Sequence, residues 1–565
     1  MISNIEKINK PIIYISITIC IASICYGSYF VSRTIPIIIG LIFIILLAIK
    51  TNISFTVVMT VFFLLQILVS YNYYTYVKEG EFNDEVRIIE VKSYYTVAQY
   101  HGRKVKLINL GEVNSIGEKY NISGLFKKEN NVENGIVGNI NVLKKEKVED
   151  DVFEIIYGLR EKIFYKLKMN LGSRKAALVC SLSYGYREYL DTEDEEEMRD
   201  LGIIHAISVS GLHVVLIFSI FSGIVGKKFS LVFVTLYMII TGAVFSTIRA
   251  VIMIYINVLS KNVYKNYDPL SALAFSSVIL LIIRPYSIFN IGFILSYLST
   301  LGIILFSDKL NKRMYKLPKY IREVLSLQIS SQIFTLPVLI LVFNRISITS
   351  ILGNMFIMPI LNILIVLGNL LLPIMNIDLI FDFISYVLLK VIRILDYMMN
   401  LFYDISVGGI ILNEKIAIIY LLSIISLFFI YKGYKKFYML PISAIIYFCI
   451  YLYSPVINIE FIDNSVLLAA YRGERIIISS ESNVNMMELK KIHVASKGYI
   501  NINKVKIDNI EVISINKNFI LYLDENQYVL KVNNKSKISE DYDIINFINN
   551  ENKGLYIIGD KLVLY

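Results

Sequence analysis

Apolar runs of roughly twenty residues, enough to cross a bilayer, recur along this chain in two blocks. The first block holds three runs, about Pro11–Tyr29, Ile35–Ile49 and Ile53–Tyr76. The rhythm then changes. Val86 to Val91 and Lys104 to Ile108 alternate apolar and polar residues at roughly every second position, as half-buried strands do. His101-Gly102-Arg103 reads as the turn between them, and Gly117–Phe126 and Gly138–Val148 read as further strands. A small barrel of about five strands fits the segment. Phe153–Leu171 returns to helical spacing, with Arg160, Lys162, Lys166 and Lys168 among its apolar positions. That pattern predicts an amphipathic helix lying at the membrane surface. The second apolar block follows, and the tail from Val456 to Tyr565 is polar and strand-rich.

Within the second block, Gly202–Phe218 is the stretch that breaks the pattern. It places His205, Ser208, Ser210, Gly211 and His213 in an otherwise apolar run. Such groups are costly against lipid, so they should face protein or water-filled space, with the helix interrupted or closely packed near Gly211. Phe229–Leu259 is too long for one crossing and is broken by Thr241-Gly242 and Arg249, which predicts a hairpin with a short second arm. Asp268 reads as a helix N-cap before Pro269. Gln328, Ser330, Ser331, Gln332 and Thr335 form a polar stripe on an apolar helix that Pro337 should kink. Later segments near Ile321–Phe343, Ile348–Met375, Leu379–Leu401, Ile416–Tyr431 and Tyr438–Tyr453 bring the crossings after the barrel to about ten. The acidic run Asp191–Glu197 reads as a solvated helix face.

Composition agrees. Over 565 residues the chain is 56% hydrophobic and 18% charged, with a mean hydropathy of +0.60. The fold class is therefore a polytopic α-helical membrane protein with a small β-barrel near its N-terminus and a small C-terminal β-rich domain. The parts fall at 1–77 (three helices), 78–150 (barrel), 151–175 (interfacial helix), 176–455 (about ten membrane segments) and 456–565 (β-rich tail). The first run has no small-residue cleavage site and reads as an anchor. The net charge of +10 is what basic cytoplasmic loops produce and does not indicate nucleic acid. Lys7 and Lys10 before the first run favour a cytoplasmic N-terminus. Placing Lys227-Lys228, Lys309–Arg322 and Lys432–Lys436 inside as well requires the hairpin at Phe229–Leu259 and puts both polar domains outside the cell. Cys20, Cys25, Cys180 and Cys449 show no metal or disulfide spacing. No metal site and no cofactor is expected, and no phosphate-binding loop that would power transport is seen.

The run from His205 to Val214, H-A-I-S-V-S-G-L-H-V, resembles H-L-L-A-V-S-G-L-H-V in the competence domain of ComEC-family DNA-uptake proteins. It matches at His205, Ser210, Gly211, Leu212, His213 and Val214. Thr241–Met253 resembles T-G-x-x-x-S-x-x-R-A-x-x-M, with Arg249 at the arginine. Gly292 to Tyr297 resembles G-F-x-L-S-F with Tyr at its end, and carries Ser296. Asn354 and Pro359 resemble N-x-x-x-x-P. The four motifs stand in the family's order between Ala177 and about Pro359, while Leu182–Gly202 follows the family only loosely. The resemblance implies that the barrel is OB-like. Tyr94, Tyr95, Tyr100 and Arg103 would then be its DNA contacts, although balanced charges argue for a structural or weak-binding role. In the tail, Ile457–Asp463 and Arg475–Ser479 resemble the opening strands of a metallo-β-lactamase-like domain. The turn after the first strand is replaced near Asn464-Ser465, the histidine-rich metal motif is absent, and His493 is the tail's one histidine. The tail reads as a shortened remnant of that domain without metal ligands, or as an unrelated small β domain.

The resemblance implies passage of single-stranded DNA across the cytoplasmic membrane during natural transformation. His205, Ser208, Ser210, Gly211, His213, Arg249, Ser296, Gln332 and Asn354 would line or gate the path. The partners would be single-stranded DNA and the lipid bilayer, with a surface DNA receptor and a cytoplasmic translocase ATPase. Two other classes stay open: a small-solute or ion transporter using the histidines and Arg249, and a membrane-embedded serine hydrolase using Ser210 and His213, which are three residues apart. The first is separated by solute flux without DNA, the second by ester turnover. The expectation is that the protein is not an enzyme.

Overall fold

The computed structural model describes residues 9–30, 32–92, 95–111, 116–148, 151–405, 409–463, 466–481, 484–500, 504–507, 510–515, 518–523, 526–531, 543–547, 553–558 and 561–565. Lys7, Tyr94 and Asn464-Ser465, singled out above, lie outside the described residues. The chain divides into two compact units, residues 1–334 with 348–408, and residues 335–347 with 409–565.

The first unit opens with helices α1 (Pro11–Ser28), α2 (Thr34–Lys50) and α3 (Ile53–Thr75). A closed barrel follows, built from β1 (Gly80–Val91), β2 (Thr96–Tyr100), β3 (Arg103–Ile108), β4 (Lys119–Lys127) and β5 (Ile136–Lys147) in the order β1-β2-β3-β5-β4. Its strands pair antiparallel except for β3 with β5. This is a five-stranded OB-like barrel. Period-two burial fills it with Val86, Ile88, Ala98, Val105, Leu107, Ile122 and Ile140. The barrel is seated on α3 by aromatic residues: the Tyr73 hydroxyl donates to the Gly135 carbonyl at 2.9 Å, and Tyr73 and Tyr74 join the barrel's core.

Beyond the barrel come α4 (Val152–Leu171), α5 (Ser173–Tyr184), α6 (Thr192–Asp200), α7 (Gly211–Ile224), α8 (Lys227–Ile240), α9 (Phe245–Asn262), α10 (Pro269–Ile283) and α11 (Ile291–Arg313). Helix α12 (Lys319–Phe343) carries the chain out of the first unit and continues through Pro337. Back in the first unit, α13 (Ser350–Leu352) passes through one π turn, Gly353–Ile357, into α14 (Met358–Leu371), and α15 (Asp378–Ile405) closes it. Asp268 caps α10 as expected, accepting from the Ser271 amide at 3.0 Å.

Three expectations change. Helix α4 does not turn its apolar face to lipid: Ile163, Phe164 and Leu167 are fully buried in one core with α5, α14 and α15. In the acidic run, Asp194 is buried and pairs with Arg174, because α6 folds back toward the start of α5. The segment read as a crossing at Leu379–Leu401 is an amphipathic helix. It buries Phe381, Leu388, Ile392, Leu395 and Met399 on one face, and its sequence spreads Asp382, Lys390, Arg393 and Asp396 among them.

Seven helices among the described residues are long and apolar enough to cross a membrane: Pro11–Ser28, Ile53–Thr75, Ile291–Arg313, Lys319–Phe343, Ser350–Leu371, Glu414–Tyr431 and Lys435–Leu452. Thr34–Lys50, Gly211–Ile224 and Pro269–Ile283 are apolar but shorter. Phe229–Leu259 is two helices, α8 and α9, parted at Thr241–Val244.

The second unit pairs β6 (Arg345–Ser347) with β7 (Gly409–Ile411) and contains α16 (Glu414–Tyr431) and α17 (Met439–Leu452). Its β-rich part has two sheets with one core between them. One sheet is β8 (Ile457–Asp463), β9 (Val466–Tyr471), β10 (Glu474–Ser479), β11 (Lys497–Ile500), β17 (Gly554–Ile558) and β18 (Lys561–Leu564). The other is β12 (Val505–Ile507), β13 (Ile510–Ile515), β14 (Asn518–Leu523), β15 (Asn526–Lys531) and β16 (Asp543–Asn546). Helix α18 (Met486–Ile492) lies between β10 and β11 in sequence. Buried Arg475 ties this part to α17, donating from Nη2 to the Tyr451 hydroxyl at 2.7 Å and from Nε to the His493 carbonyl at 2.9 Å.

Candidate functional site

The stretch from Gly202 to Phe218 is not one helix. Helix α6 ends at Asp200, a single 3-10 turn covers Ile204–Ala206, and α7 starts only at Gly211. Ser210 is the N-cap of α7. Its Oγ accepts from the Leu212 amide at 3.2 Å, and its own amide donates to His213 Nδ1 at 3.0 Å. This is a capping box with histidine in the place of the usual Glu or Gln. The Ser210 Oγ lies 2.8 Å from the same Nδ1, while His213 Nε2 is buried and meets no partner among the described residues. A Ser-His-Asp nucleophile has its histidine oriented by an acid, and among the described residues no carboxylate takes that place. The pair's geometry is that of a helix start.

The broken segment is held from three directions. Ser246 on α9 donates to the Val209 carbonyl at 2.7 Å. Thr349 donates to the Asp200 carbonyl at 3.0 Å. Gly353 packs so closely beneath the segment that a Cβ there would stand 2.7 Å from the Leu201 carbonyl oxygen. Irregular backbone at membrane depth survives only when protein or water satisfies it, and these contacts supply part of that.

Arg249 completes the group. It lies four residues past the start of α9, and its Nε donates to Ser296 Oγ on α11 at 2.9 Å. Nη1 rests 3.6 Å from Met253 Sδ. Nη2 lies 2.7 Å from where a Cβ on Gly211 would be, so Gly211 is the residue that admits the guanidinium to the start of α7. Arg249 makes no ion pair and Nη2 no hydrogen bond among the described residues. A cation in such a place usually has an acidic partner. Arg249 therefore keeps donors to offer, beside a helix N-terminus that itself attracts anions.

His205 and Ser208 are exposed on this segment, and Arg249 is half-buried. His205 is also within electrostatic reach of His213.

A second polar group sits where α12 meets the π turn. Gln328 Nε2 donates to Ser350 Oγ at 3.0 Å, and Asn354 Nδ2 donates to Gln328 Oε1 at 2.7 Å. Asn354 thus belongs with Gln328 and not with Arg249. Gln332 is half-buried and has no polar contact with either group among the described residues. Gln328, Ser246 and Ser350 were not among the expected site residues. The signal for Gln328 was present, as an amide on an apolar helix. Ser246 stands at the serine of the Thr241–Met253 motif, which marks the position without showing its partner, while Ser350 carries no mark, since serine is ordinary in membrane helices.

In the barrel, the proposed DNA contacts are already engaged. Arg103 donates to the Tyr73 carbonyl, the His101 carbonyl and Asn72 Oδ1 at 3.2, 3.0 and 3.3 Å, and stacks 3.8 Å over the Tyr76 ring. The Tyr100 hydroxyl donates to Asp84 at 2.9 Å. These two residues brace the barrel and its junction with α3. Tyr95 differs: Lys92 and Lys106 lie 5.4 and 4.5 Å from its ring centroid. No group of three His, Cys, Asp or Glu that would hold a metal ion occurs among the described residues.

Residues 182–437 match the model of a family described as competence protein. ComE operon protein 3 of Bacillus subtilis strain 168 is 29% identical over 213 residues, which cover 36% of this chain and 27% of that protein. An uncharacterized protein of Mycoplasma genitalium is 25% identical over 166 residues, covering 28% of this chain and 42% of its own length. The matched stretches thus span well under two thirds of either relative. No solved structure matches the chain.

Proposed function

This chain is a ComEC-family competence protein by its membrane domain, and we propose from that premise that the domain passes single-stranded DNA across the cytoplasmic membrane. The family and its relative support a role in competence and DNA uptake. The finer reading rests on one observation: Arg249, lodged against Gly211 at the start of α7, has no acidic partner and no hydrogen bond from Nη2 among the described residues. A polyanion crossing hydrocarbon needs hydration and a small amount of fixed positive charge that binds without trapping. One guanidinium with spare donors, flanked by Ser210 and Ser296, meets that need. In this reading Ser208 and His205 line the strand's path, His213 holds the helix start, and Gln328 with Asn354 stiffens the neighbouring wall. In the same reading the chain acts as a conduit and not as an enzyme. Its driving force comes from a translocase ATPase on the cytoplasmic side and its DNA from a surface receptor. By the positive-inside rule the N-terminus and the basic loops face the cytoplasm.

The test is uptake of labelled DNA by cells that carry Arg249→Ala as the sole copy. A charged hydrogen bond contributes about 1.5–3 kcal/mol, so uptake is expected to fall about tenfold to a hundredfold at normal protein abundance. Full transformability would remove Arg249 from the path.

A further inference from the structure

Arg160 is another cation with no acidic partner among the described residues. It lies on α4, is only 8% exposed, and holds its guanidinium 4.6 Å from the Tyr157 ring centroid. Its buried Nε and Nη2 meet no hydrogen-bond acceptor among the described residues. Glu188 contributes to its field but makes no ion pair with it and accepts from the Tyr186 hydroxyl instead. Leaving two donors of a buried cation unmade is costly.

Those donors meet the break between α8 and α9. Arg160 Nη2 lies 3.4 Å from where a Cβ on Gly242 would stand, and Gly242 has φ +81°. Arg284, just past the end of α10, reaches the same break, donating from Nη1 to the Ala243 carbonyl at 3.2 Å. The break ends at the N-terminus of α9, whose N-cap, Val244, offers no side-chain cap. Amides of an uncapped first turn are open donors at the positive end of the helix dipole. Lys104 of the barrel adds to this field. Burial first, and then the neighbouring Arg284 cation, hold its ammonium below the usual lysine range. Positive charge is thus gathered at one helix start, with no carboxylate paired to Arg160 or Arg284 among the described residues.

We propose that Arg160, Arg284 and the N-terminus of α9 form a second phosphate-binding station, which holds one phosphodiester of the strand while Arg249 holds another. The proposal rests on the strand-conducting reading above. Phe245, at the helix start, and Arg249 are four residues apart, about 6 Å of helical rise, on the order of the step between neighbouring phosphates of an extended strand. A phospholipid headgroup would present the same chemistry, so the test must separate the two sources.

The full chain is placed in phosphatidylcholine nanodiscs and titrated with fluorescent oligothymidylate at a series of salt concentrations. Each phosphate neutralised on a single strand contributes about 0.7 to the slope of log affinity against log salt. Arg160→Gln should flatten the slope by about that amount and weaken binding about tenfold at low salt, while Arg160→Lys keeps the wild-type slope. Arg284→Gln carries the same expectation and decides the matter if Arg160→Gln fails to fold. A slope unchanged in the folded variants would overturn the station. So would a defect seen only in discs containing phosphatidylglycerol, which would assign these donors to a lipid headgroup. If the wild-type protein bound no oligothymidylate at all, the strand-conducting reading would fall, and the station with it.

Discussion

Arg249 and Arg103 are the same residue type in two regions of one unit, and their surroundings treat them oppositely. Arg103, in the barrel, has three hydrogen-bond partners and a tyrosine ring at 3.8 Å. Arg249, in the membrane domain, has one serine and one thioether contact and keeps an unoccupied nitrogen beside Gly211. Arg103 was the easier nucleic-acid candidate by fold analogy, because aromatic and basic residues on an OB-like barrel suggest strand binding. Its donors are engaged in holding the barrel to α3. The two guanidiniums thus differ not in type but in how far folding has already used their donors.

The sharpest way to break this contrast is Gly211→Ala. The new Cβ would come within 2.7 Å of Arg249 Nη2, and the flexible guanidinium should yield before the backbone does. A displacement of about 1 Å at a reacting or binding group costs on the order of a hundredfold. DNA uptake should fall at least tenfold while protein abundance stays normal; unchanged uptake would mean that the Arg249 position is not used. Next in size is Arg103→Gln, which should destabilise the junction of barrel and α3 by about 1–2 kcal/mol. Hydrogen exchange at the β3 amides would show this, and the salt dependence of oligonucleotide binding should not move. A flatter salt slope in that variant would return the barrel to the DNA path.

The junction of barrel and α4 offers a subtler comparison, because there both partners of an ion pair are present. Arg87 donates to both oxygens of Asp151, with Nη1 at 2.8 Å from Oδ1. Asp151 also caps α4, accepting from the Phe153 and Glu154 amides. The Arg87 guanidinium, helped by the Glu154 and Phe153 amides and opposed by partial burial, holds the Asp151 carboxyl well below the usual carboxylate range. A folded-state value below the unfolded one of about 3.9 gives stability that is present above that pH and is lost as the pH falls below about 4. Asp151→Asn should lower exchange protection at the start of α4 at neutral pH, with the gap to wild type narrowing under acid. A gap that stayed constant down to pH 2 would show that the pairing adds nothing. The smallest effect belongs to Ser210→Ala. Losing an N-cap costs about 1 kcal/mol, so α7 should fray at its first turn with uptake reduced only a few-fold. Loss as large as that of Arg249→Ala would give the serine a direct role.

Much of the architecture was legible in the chain. Apolar runs, period-two strands and the Thr241-Gly242 interruption report backbone preferences that act locally, and each appears near its place. The short β2 strand, Thr96–Tyr100, was missed because it lies beside aromatic residues that read as binding groups. The burial of α4 and Asp194 was missed because an amphipathic pattern states that one face is covered without saying by what. The same limit applies to the site. Gln332 and Gln328 are equivalent on the sequence, one helical turn apart, yet only Gln328 meets Asn354 and Ser350.

By itself the sequence determined that the chain is a membrane protein with two polar β-rich parts, and that histidines, serines and an arginine lie inside apolar segments. Those facts follow from hydrophobicity and local backbone geometry, which act between neighbours in the chain. Only the tertiary structure decided which donors remain free, since a free donor is defined by contacts between α7, α9 and α11, and α4 with the break before α9, that lie far apart in the chain. Arg249, Arg160 and Arg103 carry the same guanidinium, and the packing around each decides whether it still has a hydrogen bond to give.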